Sequence, residues 1–175
     1  MSTPLVVLVG PPGVGKSTVG RLLAKRFDVE FRDTDHDIEA QTGSSVADLF
    51  VTEGESHFRG LERDAVAEAL RTHTGVLALG GGAVTDPATR QSLVGHRVVF
   101  LDVGLADAMR RLGMNRSRPL LLGNVRQQWL QLMEQRRPLY LEVATVAVST
   151  DGRTANDVAR EVEATLGLEA VDREQ

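Results

Sequence analysis

The chain has no cysteine. That excludes a disulfide scaffold, a thiolate zinc site and a cysteine nucleophile. Aromatic side chains make up only 4% of its 175 residues, too few for a base-stacking surface. Lysines and arginines number 20 against 24 aspartates and glutamates, a formal net charge of −4. This balance argues against a general nucleic-acid binder. The longest apolar runs, such as Leu5–Val9 and Val98–Leu101, are far too short to span a bilayer. The N-terminus lacks the basic stretch, long apolar segment and small-residue cleavage site of a secretory signal. What is there is ordinary for one soluble domain, 42% hydrophobic and 25% charged. The expectation is a cytoplasmic, monomeric protein with an aliphatic core.

Apolar bursts alternate with helix-like stretches. The spacing predicts strands over 5–9, 30–32, 76–79, 98–101 and 145–148. It predicts helices over 17–26, 35–42, 45–52, 53–71, 87–93, 105–112, 125–141 and 154–166. In the long helix, Leu61, Ala65, Ala69 and Leu70 mark the expected buried face. Asp86 is placed to cap the helix that Pro87 begins. Residues 113–124, rich in Gly, Asn and Arg, read as a loop. Strands alternating with helices mean an α/β fold, a three-layer sandwich around a five-stranded parallel sheet. Ligands of such sheets sit at the carboxyl ends of the strands.

The chemistry-bearing residues cluster just after those strands. Gly10-Pro-Pro-Gly13-Val14-Gly15-Lys16-Ser17 fits G-x-x-x-x-G-K-[ST], between an apolar strand and an amphipathic helix. Its backbone N–H groups and the helix N-terminus suit phosphate oxygens. Gly13, Val14, Gly15, Lys16, Ser17 and Thr18 are the expected nucleotide contacts. Lys16 is expected on the β- and γ-phosphates of ATP and the Ser17 hydroxyl on Mg²⁺.

Further patterns follow in order. Asp33-Thr34-Asp35 offers one carboxylate toward a water-bridged Mg²⁺ and one toward an acceptor hydroxyl, or simply caps a helix. Phe58-Arg59-x-x-Glu62 puts Arg59 and Glu62 on one helical face, where a surface ion pair is the plainer reading. Gly80-Gly81-Gly82 suits close approach of a ligand, or a flexible turn. Arg118-Pro119-Leu120 lies in the predicted loop, where a solvated arginine would be unremarked. Arg136-Arg137-Pro138-Leu139-Tyr140 reads as a helix end, where the arginines complement the dipole.

Taken in succession, the P-loop, D-x-D, F-R-x-x-E, G-G-G, R-P-L and R-x-P-L-Y resemble shikimate kinase, over about Leu5 to Val148. The resemblance implies a P-loop kinase fold, with a substrate-binding insertion at about 33–61 and a lid at about 113–124. It implies transfer of the ATP γ-phosphoryl to the 3-hydroxyl of shikimate, with Mg²⁺, on the route to chorismate. By the same resemblance Lys16 and Ser17 handle phosphates and Mg²⁺, and Asp33 orients the metal through water. Asp35 binds the ring hydroxyls and accepts the proton. Arg59 and Arg136 clamp the shikimate carboxylate, with Glu62 supporting Arg59, and Gly80, Gly81 and Gly82 line the acceptor site. Arg118 approaches the transferring phosphate as the lid arginine; Arg111 and Arg153 contact adenine. Leu79 stands where some members carry Ser or Thr, so a hydroxyl role there is absent.

Other residues are read as structural. Asp102 mimics a Walker B aspartate but is expected to cap a helix. Trp129 is expected to pack, and the histidines lack ligand-like clustering. The alternatives to the family reading are a gluconate- or nucleotide-type P-loop kinase and a non-catalytic nucleotide-binding module.

Overall fold

The structure, a computed structural model, describes residues 3–113 and 122–168. Five short strands form one parallel sheet: β1 (Val6–Val9), β2 (Phe31–Asp33), β3 (Val76–Ala78), β4 (Val98–Asp102) and β5 (Val146–Ser149). Their spatial order is β2-β3-β1-β4-β5. The register aligns Leu8 with Ala78 on one side and Val9 with Phe100 on the other. The chain thus leaves the central strand β1 between two neighbours that come later in sequence. That is the switch point where open parallel sheets bind ligands. β1, β3 and most of β4 are buried on both faces, which explains their unbroken Val, Leu and Phe runs.

The helices are α1 (Lys16–Phe27), α2 (Thr34–Thr42), α3 (Val46–Glu53), α4 (Glu55–Thr72), α5 (Pro87–Ser92), α6 (Leu105–Gly113), α7 (Leu122–Val143) and α8 (Ala155–Leu166). With them the sheet makes a three-layer α/β sandwich. Local chemistry sets their ends. Gly43, at φ 72°, stops α2 in the left-handed conformation that a glycine adopts without strain. The Ser45 hydroxyl accepts the Asp48 N–H to start α3. Asp86 caps α5 as its sequence suggests, accepting the Ala88 N–H at 2.8 Å. Thr154 and Asp157 form a reciprocal capping box on α8.

Several expectations shift. α4 buries Phe58, Glu62, Val66, Ala69 and Leu70, while Leu61 and Ala65 are only partly buried. The helix serves two cores: the sheet's own, and a smaller one of Ile38, Leu49 and Phe58 beneath α2 and α3. A single-face reading cannot describe that. α7 runs through Pro138 to Val143, so Arg136 and Arg137 lie inside it and no basic residue sits in its last turn. Dipole complementarity therefore does not account for them. The predicted loop is shorter at both ends, because α6 reaches Gly113 and α7 begins at Leu122. Arg118 and the remainder of the expected lid lie outside the described residues. Trp129 is buried in the main core, as expected.

Candidate active site

The loop joining β1 to α1 is built to leave donors unsatisfied. Gly15 occupies the N-cap of α1 at φ 99° and supplies no side-chain cap. Nor is there an acidic residue in the first turn. The first N–H groups of α1 are thereby open to an anion, at the positive end of the helix dipole. Lys16 folds back over the loop, donating to Gly10 O at 2.7 Å and Pro11 O at 3.0 Å. Burial lowers its pKa to about 8, against the opposing pull of Asp35 and Asp33. An ammonium held in this way gains strongly when phosphate arrives.

Beside the loop is a cleft of about 220 Å³ bordered by Gly13, Gly15, Thr18, Arg111, Arg153 and Val158. Arg111 donates to Val14 O at 3.0 Å and reaches Thr150. Arg153 donates to Ser149 O at 3.0 Å and pairs with Glu161. Both arginines expected near a base thus stand at this cleft, each anchored on its neighbours.

Asp33 ends β2 and faces the loop. Its Oδ2 accepts from Ser17 Oγ at 3.4 Å, and its Oδ1 accepts the Asp35 N–H at 2.8 Å. The capping reading of the D-x-D pattern is therefore real, and it coexists with convergence on Ser17. The two carboxylates do not share one extended segment, because Asp33 ends β2 and α2 begins at Thr34. Thr34, fully buried, accepts the Gly80 N–H at 3.3 Å and ties the two motifs together.

A second cleft, of about 200 Å³, adjoins the loop at Pro12. Asp35, Arg59, Glu62, the three glycines and Arg136 all open on it. Arg59 donates to Glu62 Oε1 at 2.7 Å and lies 5.5 Å from the ring centres of both Phe50 and Phe58. Those rings help hold the guanidinium by cation–π attraction. Arg136 has no carboxylate partner among the described residues. The neighbouring Arg137 is engaged elsewhere, 3.0 Å from Asp102. The adjacent arginines are thus separated in space, and Asp102 serves an ion pair and its own strand end rather than a helix cap.

Burial raises the Asp35 pKa, and the negative Asp33 adds to it; Lys16 and Arg59 oppose. Burial likewise raises Glu62, with the Arg59 hydrogen bond and charge opposing. Asp35 Oδ1 and Arg59 Nε are buried without a hydrogen-bond partner. Unpaired polar atoms of this kind are rare unless a ligand or water completes them.

The glycines are there for space. None of Gly80, Gly81 and Gly82 has a positive φ. A Cβ on Gly80 would stand 2.6 Å from Asp35 Oδ1, and one on Gly82 would strike the Arg59 guanidinium. Close approach of side chains, more than backbone freedom, demands glycine. Tyr140, the last residue of the R-x-P-L-Y pattern, donates its hydroxyl to Gly81 O at 2.5 Å. Val46, Phe50 and Pro12 also line the cleft; their apolar side chains carry no chemical signal in the sequence. Among the described residues no cluster of His, Asp or Glu is arranged to hold a metal alone, and no helix is long and apolar enough to cross a membrane.

A family model described as shikimate kinase matches residues 12–167. The shikimate kinase of Streptomyces coelicolor is 56% identical over 160 residues, covering 91% of this chain and 94% of that protein. The shikimate kinase of Salinispora tropica is 59% identical over 163 residues, covering 93% of this chain and 98% of that protein. Among solved structures, shikimate kinase from Acinetobacter baumannii in complex with shikimate superposes with a TM-score of 0.85 at 37% identity, covering 95% of this chain and 94% of that one.

Proposed function

The chain belongs to the shikimate kinase family, and from that premise we infer what each part of its site does. The enzyme transfers the γ-phosphoryl of ATP to the 3-hydroxyl of shikimate, giving shikimate 3-phosphate and ADP on the way to chorismate. One observation carries the reading: a cleft with guanidinium groups at Arg59 and Arg136 and a carboxylate at Asp35 opens beside the phosphate loop. A carboxylate bearing vicinal hydroxyls needs that polarity, cationic forks at one end and an acceptor at the other.

Asp35 would take the proton of the attacking hydroxyl. Its pKa, raised by burial, makes it a better base than a solvated aspartate. Lys16 would release the Gly10 and Pro11 carbonyls and turn to the β- and γ-phosphates. Arg59 and Arg136 would orient the acceptor, with Glu62 fixing Arg59 and the Gly80–Gly82 backbone forming the wall. Arg111 and Arg153 would flank the adenine. For the lid, about 113–124, we keep Arg118 as the group that meets the transferring phosphoryl and keeps water out.

Ser17 Oγ and the Asp33 carboxylate offer adjacent hard oxygens. They fit Mg²⁺, which takes one or two protein oxygens, its waters and substrate phosphates rather than a full protein cage. When bound, the ion would neutralise charge on the β- and γ-oxygens. We read the whole chain as one P-loop kinase domain, with 33–61 as the substrate-binding insertion under its own small core, acting as a cytoplasmic monomer.

An assay coupled to ADP release, with ATP and in turn shikimate, gluconate and nucleoside monophosphates, tests the reading. Turnover with shikimate alone is expected. A faster rate with either other acceptor, or none with any, would overturn it.

A further inference from the structure

The tyrosine that closes the R-x-P-L-Y pattern has no part in the transfer chemistry above. It is fully buried, and its ring stacks on Phe100 of β4 with centroids 4.9 Å apart and planes at 24°. A buried phenol needs a polar partner. Tyr140 finds its partner in the wall of the acceptor cleft. Its O–H donates to the Gly81 carbonyl at 2.5 Å. Arg136, four residues earlier on α7, lies on the same helical face as Tyr140. Burial raises the phenol's pKa, and the charge of Arg136 opposes that rise.

Tyr140 itself does not line the cleft, whereas Gly81, Gly82 and Arg136 do. In a trans peptide the C=O and the following N–H point opposite ways, and no peptide here is cis. With the Gly81 carbonyl drawn back to Tyr140, the Gly82 N–H is turned toward the cleft side. It has no acceptor among the described residues. Gly81 lies between two glycines, so nothing of its own would keep that peptide from rotating.

Building on the shikimate reading of the cleft, we propose that Tyr140 is a positioning residue of the acceptor site. Its hydroxyl locks the Gly81–Gly82 peptide, so that a backbone N–H meets the acceptor's carboxylate beside the Arg136 guanidinium. The rigid ring, stacked on β4, ties that peptide to the sheet.

Tyr140→Phe keeps the stacked ring and deletes only the hydroxyl. The KM for shikimate is expected to rise about tenfold, the scale of one lost hydrogen bond to a charged group, with kcat and the KM for ATP changed less than about threefold. Val162→Ala, a buried core position outside both clefts, provides a destabilised control in which neither KM moves. Tyr140 is the chain's single tyrosine, so fluorotyrosine labelling gives one fluorine NMR signal even where the variant folds poorly. Shikimate should shift that signal and ADP alone should not. An unchanged KM for shikimate, equal rises in both KM values, or a signal blind to shikimate would overturn the inference. Absence of shikimate turnover by the unsubstituted enzyme would instead sink the reading of the cleft.

Discussion

Gly80→Ala adds one methyl group at the point where the acceptor cleft is tightest. The new Cβ would stand 2.6 Å from Asp35 Oδ1 and 2.8 Å from Glu62 Oε2, where ordinary contact begins at 3.4 Å. The backbone itself accepts alanine, since Gly80 is not among the positive-φ glycines. The whole effect therefore falls on two carboxylates. Glu62 is only 2% exposed and held by Arg59 at 2.7 Å, so it has little room to withdraw. Asp35 must move instead, by something under about 1 Å, a displacement that costs on the order of 10²-fold when it misplaces a reacting group. We expect kcat/KM for shikimate to fall about 10- to 100-fold, roughly 1.4–2.7 kcal/mol. The KM for ATP should stay within about twofold, because the phosphate loop is untouched. Stability should fall by up to about 2.6 kcal/mol, because the alanine's smaller unfolded-state entropy gives about 0.4–1 kcal/mol and overpacking costs about 1–3 kcal/mol. Steady-state rates coupled to ADP release, beside a urea titration, measure both. Gly60→Ala is the matched control, since a Cβ there meets nothing within 4 Å. A Gly80→Ala enzyme as active as Gly60→Ala would refute the close-approach account of the glycines.

Asp35→Asn should lower kcat by roughly 10²–10⁴-fold, the usual worth of a positioned base. It should also raise the melting temperature of the free enzyme at pH values above the raised Asp35 pKa, and less so as the pH falls. The Asp35 pKa is raised on folding, so ionising it costs the folded state above that pKa, and the cost vanishes as pH falls through it. Lys16 is lowered to about 8 in the free enzyme, and phosphate restores its charge. ATP binding should therefore take up protons between about pH 8 and 10, read by calorimetry in buffers of different ionisation heat; no uptake would refute the placement of Lys16. Arg59→Lys or Arg136→Lys should raise the KM for shikimate with ATP affinity nearly unchanged, because charge survives and the fork does not; a main effect on ATP would contradict the assignment. Arg118→Ala should lower kcat about 10³-fold while shikimate binding, followed by calorimetry, stays intact.

The residues that announce chemistry over a short stretch were legible in the sequence. Strand β1, the glycine-rich loop and Lys16 lie within a dozen residues, and local backbone preferences fix their arrangement. The D-x-D, F-R-x-x-E and G-G-G groups were visible as patterns, and the fold brings them to one cleft. What was hidden depends on distance. Nothing near Arg137 in sequence points to Asp102, and that contact alone separates it from Arg136. Tyr140 reaches Gly81 only because α7 runs on through Pro138, against the residue's usual effect, where packing on β4 and the turn at Ala83–Thr85 holds the helix. The buried face of α4 is not a single stripe, because the helix serves two cores. A single hydrophobic period describes one partner, not two.

The central claim is the acceptor and the atom that receives the phosphoryl group. Phosphorus NMR of a reaction with Mg²⁺, ATP and shikimate tests it most directly. The account predicts one new phosphomonoester signal, equal in amount to the ADP formed and coupled to the proton on carbon 3 of shikimate. A signal coupled to another ring proton, or inorganic phosphate alone, would contradict it.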